Sequence, residues 1–136
     1  NYTAHSLICY ESIFSFESLI IDKDTDFILN VSNDGWFGDN SLAPYQHLDA
    51  LVMRSLENQR YSIRSTNTGI SAIITPDGTI ADFIKYNERG YINKEIYARN
   101  GQTPLSKYGY DIIYFFLFTV FLYSTIYFNF NSFKRS

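Results

Sequence analysis

Apolar and polar positions change rhythm several times along the chain. Ser6–Tyr10 and Phe27–Val31 are short, largely apolar runs, the pattern of strands buried on both faces. Between them Ile13, Phe14, Phe16, Leu19, Ile20 and Ile21 supply the apolar face of a short helix. Strand, helix and strand within ~25 residues predict a crossover in a mostly parallel sheet. Pro44 suits the first position of a second helix, where its missing N–H would be unpaired anyway. Leu48, Leu51, Val52, Ser55 and Leu56 then recur at helical spacing and give that helix one packing face.

Further on, Tyr61–Ser65 and Ile70–Thr75 read as strands joined through Thr66-Asn67-Thr68-Gly69, a turn in which Asn and Gly accept positive φ. Pro76-Asp77-Gly78 turns the chain into Thr79–Lys85, and Tyr91–Ile96 is predicted as a last strand. Hairpin turns after a crossover unit predict a layered α/β sandwich. Near Tyr108-Gly109-Tyr110-Asp111 the pattern breaks. From Ile112 to Phe133 there are 22 residues without a charge, and a membrane span needs ~20 apolar ones. Tyr108, Tyr110 and Tyr114 gather at one end, Lys134 and Arg135 follow the other, and Asn129 and Asn131 put the end of the hydrophobic stretch near Phe128. The expected organisation is a globular part over 1–108, a transmembrane helix over 109–133 and a tail of 134–136. By the positive-inside rule the tail is cytoplasmic and the globular part lies outside.

Composition adds exclusions. A net charge of −3 and a pI near 5.2 argue against a nucleic-acid partner, which needs a basic face. A single cysteine forms no internal disulfide, and with two poorly spaced histidines it makes no metal site, so neither metal nor cofactor is expected. The sequence opens on Asn1 with no signal-like segment behind it, the expected look of the C-terminal piece of something longer.

Candidate chemistry centres on Cys9, where the apolar run Leu7-Ile8-Cys9-Tyr10-Glu11 ends in a carboxylate. A thiolate is a strong nucleophile, and a strand that emerges at a rim is a suitable mount for one. His5, four residues earlier on the same strand, would stand ~13 Å away at ~3.3 Å per residue, too far for proton transfer. His47 falls in the first turn of the second helix, where packing or capping is the commoner role; a Cys-His pair is the alternative. Glu11 is placed to share a cavity with Cys9 or to act as a helix N-terminal acid. The loop Ser32–Asp39 leaves the C-terminal end of a strand, the edge where α/β sheets bind ligands, and its Trp36-Phe37 pair is a candidate substrate-lining or lipid-facing element. Arg64 is expected to pair with a carboxylate inside the fold.

The runs Ile8-Cys9-Tyr10-Glu11, Asn30-Val31-Ser32-Asn33-Asp34-Gly35-Trp36-Phe37-Gly38, Tyr45-Gln46-His47, Arg54-Ser55-Leu56-Glu57-Asn58 and Arg64-Ser65-Thr66-Asn67-Thr68-Gly69-Ile70-Ser71 come in this order. Together with Pro76-Asp77-Gly78, Gly101-Gln102-Thr103-Pro104 and the apolar tail, they resemble the C-terminal part of the nitrilase-like domain of bacterial apolipoprotein N-acyltransferases. The Asn-Asp-x-Trp-Phe-Gly run separates that family from soluble nitrilases and amidases.

The resemblance implies part of a nitrilase-like αββα sandwich followed by a transmembrane helix, held outside the bacterial inner membrane. It implies a ping-pong acyl transfer in which a cysteine takes a fatty acyl group from a phospholipid as a thioester. The group then passes to the N-terminal amine of a diacylglyceryl-cysteine lipoprotein. In the family's Glu-Lys-Cys triad Cys9 matches the nucleophile, and Tyr10 and Glu11 match neighbours important for function. The family's glutamate base and lysine lie upstream of the matched residues, so the isolated segment is expected to be inactive alone. Ser15 stands where the family usually has proline, a change expected to loosen the turn. The alternatives are a membrane-tethered amidohydrolase that passes its thioester to water, and a non-catalytic remnant.

Overall fold

The computed structural model describes residues 1–19, 22–38 and 41–135, with side chains up to residue 128. Three strands, β1 (Ala4–Ile8), β2 (Phe27–Ser32) and β3 (Tyr61–Thr66), run parallel, and β4 (Ser71–Ile74) and β5 (Ile80–Ile84) continue the sheet antiparallel. Strand order follows chain order, β1-β2-β3-β4-β5. The first crossover passes through a 3₁₀ turn, Cys9–Ile13, and a short α1 (Ser15–Leu19); the second passes through a 3₁₀ turn, Gly35–Phe37, and the long α2 (Ala43–Asn58).

Helix α2 forms where the apolar spacing puts it. Pro44 sits in its first turn, and Leu48 and Leu51 face the sheet, packed with Leu7, Ile28, Ile70, Ala72 and Ile74. Burying each such side chain stabilises the fold by about 1.5–3 kcal/mol. The helix stops at Gln59, whose left-handed φ of 52° ends the turn and aims the chain into β3. Ser55 Oγ donates to Ser62 Oγ at 2.6 Å, tying helix to strand. The Arg54–Asn58 motif closes on itself: Arg54 pairs with Glu57, and Asn58 Nδ2 donates to the Arg54 carbonyl at 2.9 Å.

Several expectations need correction. The first strand ends at Ile8 rather than at Tyr10, because the backbone folds into the 3₁₀ turn at Cys9. The strands are not buried on both faces: α2 covers one side, while Ile8 and Val31 point away from it and are exposed. The helix expected around Ile13–Ile21 is divided between the 3₁₀ turn and α1; Ile20 and Ile21 lie outside the described residues, as does Asp39. Tyr91–Ile96 is not a strand. The chain there must return from β5 to the opening of β2, where Arg99 and Gly101 N–H groups donate to Asp26 and Lys23 carbonyls, so it runs across the sheet rather than along an edge. The Thr66–Gly69 turn uses no positive φ.

After α3 (Pro104–Tyr108), capped by the Thr103 hydroxyl, a single helix α4 (Asp111–Arg135) leaves the globular part. Its Asp111–Phe128 span is long and apolar enough to cross a membrane, and none of that span is buried. The side chains of Lys134 and Arg135 lie outside the described residues.

Candidate active site

Cys9 occupies the rim where β1 ends. Its φ of 51° is left-handed, an uncommon conformation for a residue with a β-carbon and one that persists only when the surroundings over-determine it. The surroundings do so. Glu11 folds back so that its carboxylate accepts the Ile8 N–H at 2.6 Å, closing the 3₁₀ turn from below. The Cys9 carbonyl accepts from three directions: His47 Nε2 at 2.9 Å, Ser12 Oγ at 3.3 Å and Asn30 Nδ2 at 3.4 Å. The β1–β2 register pairs Ile8 with Val31, which brings the sulfur of the partly buried cysteine beside Ser32, with Sγ and Oγ 3.5 Å apart.

Beneath the turn lies a buried polar network. Asn30, Asp34, His47 and Arg64 are each no more than 2% exposed. Asn30 and Arg64 are register partners on β2 and β3, and the guanidinium Nη1 donates to Asn30 Oδ1. Arg64 Nη2 donates to Asp34 Oδ2 at 2.7 Å, and its Nε to the Ile70 carbonyl at 3.2 Å. Asp34 Oδ1 accepts the Ser32 hydroxyl at 2.6 Å and faces His47 Nδ1 at 3.2 Å. Every polar side-chain atom of the four residues thus has a partner, the condition under which such a network rigidifies a site.

Burial alone would raise the Asp34 pKa. Contact with His47, the Ser32 hydroxyl's hydrogen bond and the charge of Arg64 outweigh it and hold the carboxyl at about 2. Burial pushes the Arg64 guanidinium down from its ordinary value, and Asp34 pushes it back up. Gly69 is where it is because of this pair: a β-carbon there would stand 2.1 Å from Asp34 Oδ2.

An aromatic platform surrounds the rim. The Tyr10 ring packs edge-on to Phe14, at 6.3 Å between centroids, and lies 6.4 Å from Trp36. Trp36 stacks on Phe37 at 4.1 Å, and Phe37 meets the edge of His47. Tyr10, Phe14 and Trp36 are 46%, 54% and 65% exposed, a contiguous apolar surface of the kind that marks interaction sites.

The structure therefore brings Tyr10, Trp36 and Phe37 together beside the turn that carries Cys9. Glu11 is close in sequence, but its carboxylate is engaged with the Ile8 N–H, the helix-end role weighed from the sequence. His47 approaches the Cys9 backbone, and among the described residues its ring nitrogens contact the Cys9 carbonyl, Ser12, Asp34 and Arg64 rather than the Cys9 sulfur. Burial lowers the His5 pKa, and its Nε2 is buried without a hydrogen-bond partner. Arg64 finds its carboxylate in Asp34. Sequence reasoning did not single out Asn30, Ser12, Ser32 or Asp34 individually. The signal for Asn30, Ser32 and Asp34 is polarity on strand β2 and just beyond it.

Comparison with known proteins agrees with this architecture. The profile of the carbon-nitrogen hydrolase family matches residues 4–113. The chain is 45% identical over 109 residues to an apolipoprotein N-acyltransferase of Pasteurella multocida and 40% identical over 119 residues to one of Coxiella burnetii. These alignments cover 79% and 85% of the chain but only 21% and 24% of those relatives, so the chain spans about a quarter of their length or less. A carbon-nitrogen hydrolase superfamily protein from Xanthomonas campestris superposes with a TM-score of 0.51 at 19% identity, over 62% of this chain and 37% of that one. An amidase of the nitrilase superfamily from Nesterenkonia superposes at 0.50 and 17% identity, over 64% and 35%. Both show the fold.

Proposed function

The chain belongs to the carbon-nitrogen hydrolase family, and from that premise we propose that it is part of an apolipoprotein N-acyltransferase whose nucleophile is Cys9. The observation that carries the reading is a lone, partly buried cysteine, held in a left-handed turn at the end of a parallel strand, with the exposed aromatics Tyr10, Phe14 and Trp36 clustered at the same turn. The proposed activity is that of the complete protein.

In the first half-reaction the Cys9 thiolate attacks the ester carbonyl of a phospholipid. A carbon–sulfur bond forms, the carbon–oxygen bond breaks, and the lysophospholipid leaves with its oxygen carrying the proton that the Cys9 thiol gave up. In the second, the N-terminal amine of a diacylglyceryl-cysteine lipoprotein attacks the thioester. A carbon–nitrogen bond forms, the carbon–sulfur bond breaks, and the amine's lost proton restores the thiol.

Tyr10, Trp36 and Phe37 suit this chemistry because they offer acyl chains an apolar surface beside the sulfur, where a thioester needs shielding from water. Helix α4 supports a membrane location, and two lipid-anchored substrates gain effective concentration when the site is tied to the bilayer. We place the globular part on the periplasmic face of the inner membrane.

The test is a Cys9→Ala change in the complete protein, assayed for a hydroxylamine-sensitive acyl adduct and for lipoprotein N-acylation. Both are expected to disappear. Acylation that persists in Cys9→Ala removes the proposal, and lipid-independent hydrolysis of simple amides by the parent would point to an amidohydrolase instead.

A further inference from the structure

We propose that His47 is a positioning residue for the nucleophile: its Nε2–H holds the Cys9 carbonyl, and so fixes the left-handed turn that presents the sulfur. The inference rests on the reading of Cys9 as the nucleophile.

A carbonyl oxygen only accepts, so the 2.9 Å contact requires the hydrogen on Nε2. It is the shortest of the three bonds to that oxygen, with Ser12 at 3.3 Å and Asn30 at 3.4 Å. The imidazole cannot easily turn away. Its Nδ1 lies 3.2 Å from Asp34 Oδ1 and 3.1 Å from Arg64 Nη2, and its ring packs against Tyr10 and Phe37. Ser12 Oγ, 3.1 Å from Nε2, links the ring to the same turn. A chain of fixed groups thus runs from the buried Arg64–Asp34 pair through His47 to the backbone of Cys9. The φ of 51° at Cys9 is the strained link that this chain restrains. His47 is buried at 1% exposure, and no hydrogen bond joins it to Sγ among the described contacts, so it acts through the backbone and not as the thiol's base.

Two substitutions in the complete membrane-bound protein separate positioning from proton transfer. His47→Phe keeps a ring between Tyr10 and Phe37 but removes both nitrogens. His47→Gln keeps a donor near the place of Nε2 but nothing that titrates. The primary readout is the rate of Cys9 alkylation by iodoacetamide, which reports how the sulfur is presented whether or not acyl groups are transferred. Acyl-adduct formation on phospholipid vesicles gives kcat and KM beside it. His47→Phe is expected to slow alkylation and to lower kcat by about 10²-fold, the order of loss that a misplaced reacting group causes, with KM unchanged. His47→Gln is expected to recover most of both. Alkylation at the parent rate in His47→Phe overturns the inference, and so does a His47→Gln protein as impaired as His47→Phe. Neither result bears on the acyl-transfer reading, which Cys9→Ala decides.

Discussion

Asp34 is the residue on which the buried network turns. It takes Arg64 on one oxygen and Ser32 on the other, with His47 beside the second, and it sits fully buried. Its pKa of about 2 lies below its ordinary value of 3.8, so the folded state favours the ionised form. The linkage has a definite sign: stability from Asp34 is complete above about pH 3.8 and is lost as the pH falls through about 2. Replacing Asp34 with Asn leaves the Arg64 charge buried without its counter-charge, a change that costs about 3–5 kcal/mol in comparable pairs. The expected result is a large drop in melting temperature for Asp34→Asn near neutral pH, with the gap to the parent narrowing between about pH 4 and pH 2. Thermal melts of the complete protein across that range check it. A gap independent of pH would mean that the carboxylate's charge is not what the fold uses.

The elements divide into those that their own residues dictate and those that distant residues impose. Helix α2 and strands β2 and β3 are legible in the sequence from their apolar content: Leu48 and Leu51 lie on one helical face, whereas on β2 the alternation of buried Ile28 with exposed Val31 departs from the two-faced burial its apolar run suggests. Leu51 is fully buried in the core under this helix. Leu51→Ala is therefore expected to cost about 2–5 kcal/mol, read as a lowered denaturation midpoint, without changing which residues surround Cys9.

The turn at Cys9 belongs to the second kind. Nothing in Leu7-Ile8-Cys9-Tyr10 announces a strand that stops at Ile8, because the left-handed φ is set by donors 21 and 38 residues further along the chain. Gly69 was legible as a turn glycine, but its reason is different: the neighbouring carboxylate fills the space of a β-carbon. The Tyr91–Ile96 run shows the same limit from the other side. Its alternation suits a strand, yet the chain's need to reach Asp26 and Lys23 sends it across the sheet. Cys9 and the aromatic pair stand out in the sequence by composition and position, whereas the network around the Cys9 turn is visible there only as the expectation that Arg64 finds a carboxylate.

At the scale of the molecule, the proposed acyl transfer requires a site built at one edge of a small sheet to meet substrates that live in a bilayer. Helix α4 begins at Asp111, three residues after α3 ends at Tyr108, so little chain separates the globular part from the helix proposed to enter the membrane. The unburied Asp111–Phe128 span has no apolar partner within the described residues, and in the proposed membrane setting lipid would supply one. Tyr108, Tyr110 and Tyr114 at its start are amphipathic enough to sit at the headgroup level, and by the positive-inside rule the Lys134-Arg135 pair at the far end predicts the direction. On this argument α4 carries the chain inward and leaves the aromatic platform on the outer side. A reporter fused after Ser136 in the complete protein distinguishes the two directions. Green fluorescent protein is expected to fluoresce there, and alkaline phosphatase is expected to be inactive. The opposite pair of results would put the site on the cytoplasmic face, away from a lipoprotein amine exposed outside, and the proposed acceptor would have to be given up along with the orientation.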